Sequence, residues 1–283
     1  MFTEALADFI CKTNYENLPP ELVARAKPAV LDHLAVAMSG SREPSGRMVA
    51  GLVREQQSIG EATVIGNSFK ASCPLAALVN GNSSHSQDFD DCLDFPGAGL
   101  AHPSTGILPA VLALAEKNRL SGKDVLTAYC LGVEAYGKIG LLVNEVKAGR
   151  EGWEPTGILG VIGAAAAVAK LLGLDRRRTM MTLGIASSMS CGLIRNFGSM
   201  AGHIHAGNAA RHGIEAGLLA LKGYTATCPG IIEGPNGFYN AFSARSGPAP
   251  LEIQQRQVEA LGDPWNLVDP GLMFKAYTCA HIS

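Results

Sequence analysis

Charge is scarce in this 283-residue chain. Only 17% of its residues are Asp, Glu, Lys or Arg, and their formal balance is −2. A chain this close to neutral lacks the basic field that nucleic acid or an acidic membrane demands, so neither partner is expected. The one basic run, Arg176-Arg177-Arg178, reads as a solvated turn at a helix start. The seven cysteines include no Cys-x-x-Cys pair and no metal-ligand spacing. Free thiols in a reducing compartment are therefore expected rather than a disulfide framework. The opening residues, Met1-Phe-Thr-Glu-Ala-Leu-Ala-Asp8, carry acids and no basic-flanked apolar core, so no signal peptide is expected. The longest strongly apolar stretches without a charge, 155–169 and 179–194, are each too short to span a bilayer. These absences point to a soluble, cytoplasmic protein. Internal repeats, low-complexity segments and any β-α-β alternation are also missing, which argues against a doubly wound sheet.

Apolar residues are abundant. They make up 47% of the chain, enough for a large buried core in one large or two ordinary domains, with surface left for an oligomer interface. Their spacing is helical. Leu6, Phe9 and Ile10 mark a short amphipathic helix over 3–13. Leu22, Ala26, Val30, Leu34 and Ala37 mark a second, stopping at Ser39-Gly40, with Pro28 a candidate kink. Residues 74–86 and 105–117 read as further helices. Ser121 and Asp124 match a capping box for the next. From Thr156 to Leu172 the chain is almost wholly Ala, Gly, Val, Ile and Leu, with Gly157, Gly160 and Gly163 in register. So little side-chain volume implies a buried helix that neighbours approach closely. Asp175 caps another helix, and one more is expected from about His205 to Leu221. Ala62–Gly66 is the one short β-branched run in the N-terminal part, read as an isolated strand or extended loop. The expectation is an all-α domain to about residue 265.

One stretch stands apart. Between His85 and His102 lie Asp88, Asp90, Asp91 and Asp94, four acids and two histidines within eighteen residues. A charged, Gly- and Pro-bearing segment inside an apolar chain is where chemistry is sought, because loops on a rigid scaffold carry it. Asp94, beside Phe95-Pro-Gly-Ala-Gly, reads as a solvated acid. Asp88 and His102 sit at the apolar edges of the segment. A carboxylate beside an imidazole can fix its tautomer and raise its basicity. On spacing alone, a buried hydrogen bond that merely stabilises the loop is the better reading of that pair. The acids and histidines lack a compact metal-ligand motif, so no metal is expected, and a metal hydrolase is the weakest reading.

Asn80-Gly…His85…Asp88-Phe-Asp-Asp91-Cys92, followed by His102-Pro-Ser-Thr and an apolar Leu-Pro-Ala run, resembles the MmgE/PrpD family, which includes 2-methylcitrate dehydratase, cis-aconitate decarboxylase and iminodisuccinate epimerase. The resemblance extends in patches over nearly the whole chain. It implies an all-α helical main domain, a smaller α+β lid domain, no cofactor and a homodimer. It turns Asp88 and His102 into an acid/base pair. It makes Asp91, or Cys92 where some members have Thr, a candidate substrate contact. Gly152-Trp153-Glu154-Pro-Thr-Gly157 resembles a family segment with histidine where this chain has Glu154. That glutamate is then either a helix N-terminal acid or an acid/base group in the histidine's place. Phe197-Gly-Ser-Met-Ala-Gly202-His203-Ile-His205-Ala-Gly207 resembles a segment in which lysine stands at the Gly202 position and proline at His203. His205 matches the family histidine, as a catalytic residue or a helix cap. Arg195 and His203 are candidates for the missing cation. Lys275-Ala-Tyr277-Thr-Cys279 resembles the opening of the lid, with Lys275 and Tyr277 as substrate contacts. The implied organisation is 1–265 as helical domain and 266–283 as the beginning of the lid, whose remainder lies outside this sequence. The implied function is a lyase acting on a small carboxylate by proton transfer at the carbon α to a carboxylate, in a dehydration or a decarboxylation. The alternatives are an epimerase and a non-catalytic relative.

Overall fold

The computed structural model describes residues 1–93, 102–144, 152–243 and 247–279. Asp94 with its glycine-bearing loop, and His281 to Ser283, fall outside these residues. Helix starts follow local chemistry. α1 spans Phe2–Lys12, α2 Pro20–Gly40, α3 Pro44–Glu55, α4 Cys73–Ser84 and α5 Pro103–Asn118. The last four of these open with proline in the first turn, where its missing N–H costs no hydrogen bond. α6, Gly122–Asn144, opens on the expected reciprocal pair. The Ser121 amide donates to Asp124 Oδ2 at 2.9 Å, and the Asp124 amide to Ser121 Oγ at 3.3 Å. α7 is Pro155–Leu171 and α8 is Arg176–Met189, the latter capped by Asp175, which accepts from the Arg178 amide at 2.8 Å. α9 (Met200–Leu221), α10 (Phe238–Phe242) and α11 (Leu251–Glu259) complete the helices.

The chain is thus mainly helical, with two small antiparallel sheets. β1, Ala62–Thr63, pairs with β2, Lys70–Ala71, so the expected isolated strand has a partner. β3, Cys92–Leu93, pairs with β4, Leu272–Met273. Further points differ from the sequence reading. α3 escaped sequence reading because two of its four buried positions are Ser45 and Gly46, which break the apolar row completed by Ala50 and Val53. α9 starts at Met200, so His205 lies inside the helix rather than at its start. α2 runs uninterrupted through Pro28.

α7 forms the centre, packed between α5, α6, α8 and α9. Its residues from Thr156 to Ala169 are all buried. Each fully buried Ile or Leu contributes roughly 1.5–3 kcal/mol. A Cβ on Gly163 would lie 2.8 Å from Ile107 Cδ1 and 2.9 Å from the Gly132 carbonyl oxygen, so only glycine lets α5 and α6 close onto α7. Among the described residues, one helix, α6, is long and apolar enough to cross a membrane by length and composition. It is wrapped by the protein's own helices, with Tyr129, Leu131, Val133, Tyr136 and Ile139 fully buried. It also carries a buried ion pair, Glu134 with Lys138 at 3.4 Å. The Gly262 and Asn266 amides both donate to the Glu134 carboxylate at 2.9 Å. This ties the C-terminal segment to α6 just before β4 returns it to β3. The expected boundary near residue 265 therefore falls in a segment anchored to the helical body.

Candidate active site

Two glycines set the spacing of the helices that carry the histidines. A Cβ on Gly81 in α4 would fall 2.8 Å from the Gly207 Cα in α9, and one on Gly207 would fall 2.3 Å from the Leu78 carbonyl oxygen. Lacking both, α4 and α9 nearly touch. One turn beyond the contact, His85 at the C-cap of α4 meets His203 in the first turn of α9, with ring centroids 6.3 Å apart. The chain then turns at Asp88, which takes the left-handed conformation (φ 53) that few non-glycine residues adopt. Its carbonyl accepts from Lys275 Nζ at 3.0 Å and from the Cys279 amide at 3.2 Å. The C-terminal segment therefore braces this turn. His102 is the N-cap residue of α5.

His85, Asp88, His102 and His203 line one cavity of about 60 Å³, with Phe197 to Ser199 and Gly202 on its other wall. That is room for a few water molecules or a small acid group. Asp90 underlies it. Its Oδ2 lies 2.9 Å from His85 Nδ1 and 3.4 Å from His102 Nδ1, and it is 1% exposed. His102 Nδ1 also meets the Asp91 carbonyl oxygen at 2.8 Å. The two rings stand 4.9 Å apart. Burial disfavours charge on both partners of the His85–Asp90 pair, but their mutual attraction and hydrogen bond win. His85 is held above its ordinary range, helped by Glu154 and Asp88, and Asp90 well below its own, helped by His102. Burial pushes His102 the other way, with His85 and Lys275 adding to it against the pull of Asp90, and holds the ring below its ordinary value, on the neutral side. His203, half-buried, is lowered by burial and by His85. Its Nδ1 lies 3.0 Å from Ser45 Oγ.

The expected pairing needs correction. The carboxylate that meets His102 belongs to Asp90, not Asp88; Asp88 faces the same cavity without being the ring's partner. The chain turns at Asp88 through a left-handed residue, and nothing in the spacing Asp88-x-Asp90-Asp91 signals that turn. His85 and Asp90 were thus missed as central residues. Asp91 is fully buried away from the cavity lining, accepting from Ser104 Oγ, which also meets the Tyr129 hydroxyl. Burial pushes its carboxyl up to about 8. Cys92 is buried in β3. Arg195 is exposed on the turn before α9 and does not line the cavity. Tyr277 is 77% exposed, while Lys275 Nζ donates to the Asp88 carbonyl and its charge acts on Asp90 and His102.

Glu154 unites its two readings. As N-cap of α7 it accepts from the Thr156 amide at 2.9 Å and the Gly157 amide at 2.6 Å. Its Oε2 also lies 3.4 Å from His205 Nδ1, without the alignment of a hydrogen bond. Burial raises its carboxyl, but His205, the charge on His85 and the two amides overcome this and hold it below its ordinary value. Glu154 and His205 form a second buried pair beside the first.

His85, Asp90 and His102 offer donor atoms within 4.8 Å of one another, a compact cluster that spacing alone did not show. The contacts described above engage both Nδ1 atoms and Asp90 Oδ2 in hydrogen bonding, so the cluster reads as a hydrogen-bonded relay. The arrangement can hold an anion against His85 and offer a neutral imidazole, His102, to a proton.

Comparison with known proteins finds similarity across most of the chain. The family model described as MmgE/PrpD N-terminal domain matches residues 4–251. A cis-aconitate decarboxylase of Mus musculus is 31% identical over 286 residues, covering 99% of this chain and 56% of that protein. One from Aspergillus terreus (strain NIH 2624 / FGSC A1156) is 31% identical, covering 93% and 54%. One from Homo sapiens is 30% identical, covering 99% and 57%. The chain spans about half the length of the curated relatives it matches.

Proposed function

This chain belongs to the MmgE/PrpD family, and on that premise we propose that it is a cofactor-free lyase acting on a small carboxylic acid by proton transfer at the carbon α to a carboxylate. The observation that carries the reading is His102. A carbonyl can only accept, so its Nδ1 carries the hydrogen given to Asp91 and its Nε2 is the basic atom of a neutral ring. Such an imidazole, beside the Asp88 carboxylate in one small cavity, is equipped to take or return a proton at a carbon next to a carboxylate. The names of the relatives favour carbon–carbon cleavage with loss of CO₂ over loss of water. Epimerisation would use the same parts.

A homodimer in the cytoplasm, with a small carboxylate as its ligand and no nucleic-acid or membrane partner, completes the proposal. The dimer draws support from an exposed apolar row on α2, Leu31, Leu34 and Met38. Contiguous exposed apolar patches mark interaction surfaces. The test is turnover of a panel of mono-, di- and tricarboxylates, following CO₂ release and loss of water. The proposal expects turnover of at least one member. A folded protein that turns over none of them would contradict it and leave a non-catalytic relative.

A further inference from the structure

The cavity needs a group that can receive a carboxylate, and the positions from which one was expected do not supply it. Gly202 has no side chain, Arg195 is exposed and does not line the cavity, and Glu154 adds a buried negative charge near the site. One cavity-lining side chain meets the requirement. His85 is 5% exposed, reaches the cavity, and has its Nδ1 engaged by Asp90 Oδ2 at 2.9 Å. An ionised carboxylate only accepts, so Nδ1 carries a hydrogen, and the ring's other nitrogen, Nε2, has no partner among the described residues.

We propose that His85 is the carboxylate-binding residue of this site, presenting its Nε2–H to one carboxylate of the substrate, and that Asp90 is a positioning residue that orients and charges it. The proposal rests on the lyase reading for its substrate class and adds the group that selects it. Asp90 contributes to binding without touching the ligand. It holds the His85 ring in one orientation from beneath and keeps it an imidazolium against its burial. The surroundings share that task unequally. Asp90, Glu154 and Asp88 favour the charged ring; burial opposes it, and His102, His203 and Lys275 are its basic neighbours. His102 and His203 are both shifted toward the neutral form, so they do not compete for the anion. A cavity with one imidazolium selects for one anchored carboxylate and leaves further carboxylates unpaired.

The probe is maleate, a compact cis-dicarboxylate, titrated calorimetrically into the full 283-residue protein between pH 6 and 8. The unmodified protein is expected to bind the maleate dianion with nearly constant affinity across that range, once maleate's own second ionisation at the acid end is allowed for. His85→Gln is expected to weaken binding by about tenfold or more, the worth of one charge-assisted hydrogen bond. Asp90→Asn is expected to weaken binding progressively from pH 6 toward pH 8, as burial, no longer opposed by Asp90, drives His85 toward its neutral form. A merely structural role for Asp90 would weaken binding equally at every pH. Imidazole ¹⁵N resonances of the unmodified protein give a reading that needs no variant: His85 should carry two protons at pH 7, and its Nε2 should shift when maleate is added. A singly protonated His85, an Nε2 indifferent to maleate, no maleate binding, or unchanged affinity in His85→Gln would each overturn the proposal. So would stoichiometric metal in the purified protein that His85→Gln removes. Failure of every carboxylate to turn over would sink the lyase reading yet leave maleate binding through His85 intact, so the two failures are distinguishable.

Discussion

The Asp91 carbonyl oxygen lies 2.8 Å from His102 Nδ1, so the backbone beside Asp90 decides which nitrogen of His102 is the base. Replacing the ring by an amide keeps a donor for that carbonyl but removes the base. His102→Gln and Asp88→Asn should each lower turnover by roughly 10² or more while the protein still folds. Near-normal rates in a folded variant would remove that residue from the proton-transfer step.

Glu154 should matter to the fold as well as to the site. Its carboxylate satisfies two amides at the start of the most buried helix. Glu154→Ala should therefore cost about 1–2 kcal/mol, the usual worth of a lost N-cap, read by chemical denaturation. Glu154→Gln, which keeps an acceptor oxygen, should lose less. Equal stability of the alanine variant and the unmodified protein would show that the cap is dispensable.

Much of this architecture was legible in the sequence because it depends on local chemistry. Ser121 and Asp124 announce their capping pair, Asp175 its cap, and the all-small run after Thr156 its burial. What stayed hidden depends on backbone geometry or on distant partners. Whether Asp88 or Asp90 meets the histidines turns on a left-handed residue that no spacing encodes. The packing of Gly81 on Gly207, which aligns His85 with His203, joins residues 126 positions apart. The resemblance marked a region, while the pairing inside it depends on the folded geometry. Tying residue 275 to Asp88 likewise needed the β3–β4 pairing.

Asp91 supplies a pH signature of its own. Its folded-state carboxyl is pushed up to about 8 by burial, with the nearby acids Asp32 and Asp90 adding to the shift. A carboxyl that is raised on folding gives its full stability below its ordinary value near 4 and loses it as pH climbs toward the folded value. Asp91→Asn should remove that loss. Its melting temperature relative to the unmodified protein should rise steadily from pH 5 to pH 8. A difference that stays constant across the range would mean that Asp91 does not hold its proton.

The charge balance of the cavity predicts its selectivity. Each desolvated carboxylate left unpaired costs several kcal/mol, and Gly202 offers no cation. Dicarboxylates, or acids bearing an amine, should therefore bind more tightly than cis-aconitate or 2-methylcitrate. Gly202→Lys should narrow the gap. A Cβ there would lie 3.1 Å from the Asn196 carbonyl oxygen, a tight fit that a small shift of the turn can relieve. Tight binding of cis-aconitate by the unmodified protein, unimproved in Gly202→Lys, would contradict this.

Proton transfer at carbon is the centre of the account, and solvent isotope reports it directly. If CO₂ is lost, the reaction run in D₂O should place one deuterium on the carbon adjacent to the retained carboxylate, read by ¹H NMR and mass spectrometry; if water is lost, deuterium placed beforehand on that carbon of the substrate should slow turnover. His102→Gln should slow that incorporation by roughly 10². A decarboxylated product without deuterium at that carbon, or incorporation at an unchanged rate in His102→Gln, would contradict the account.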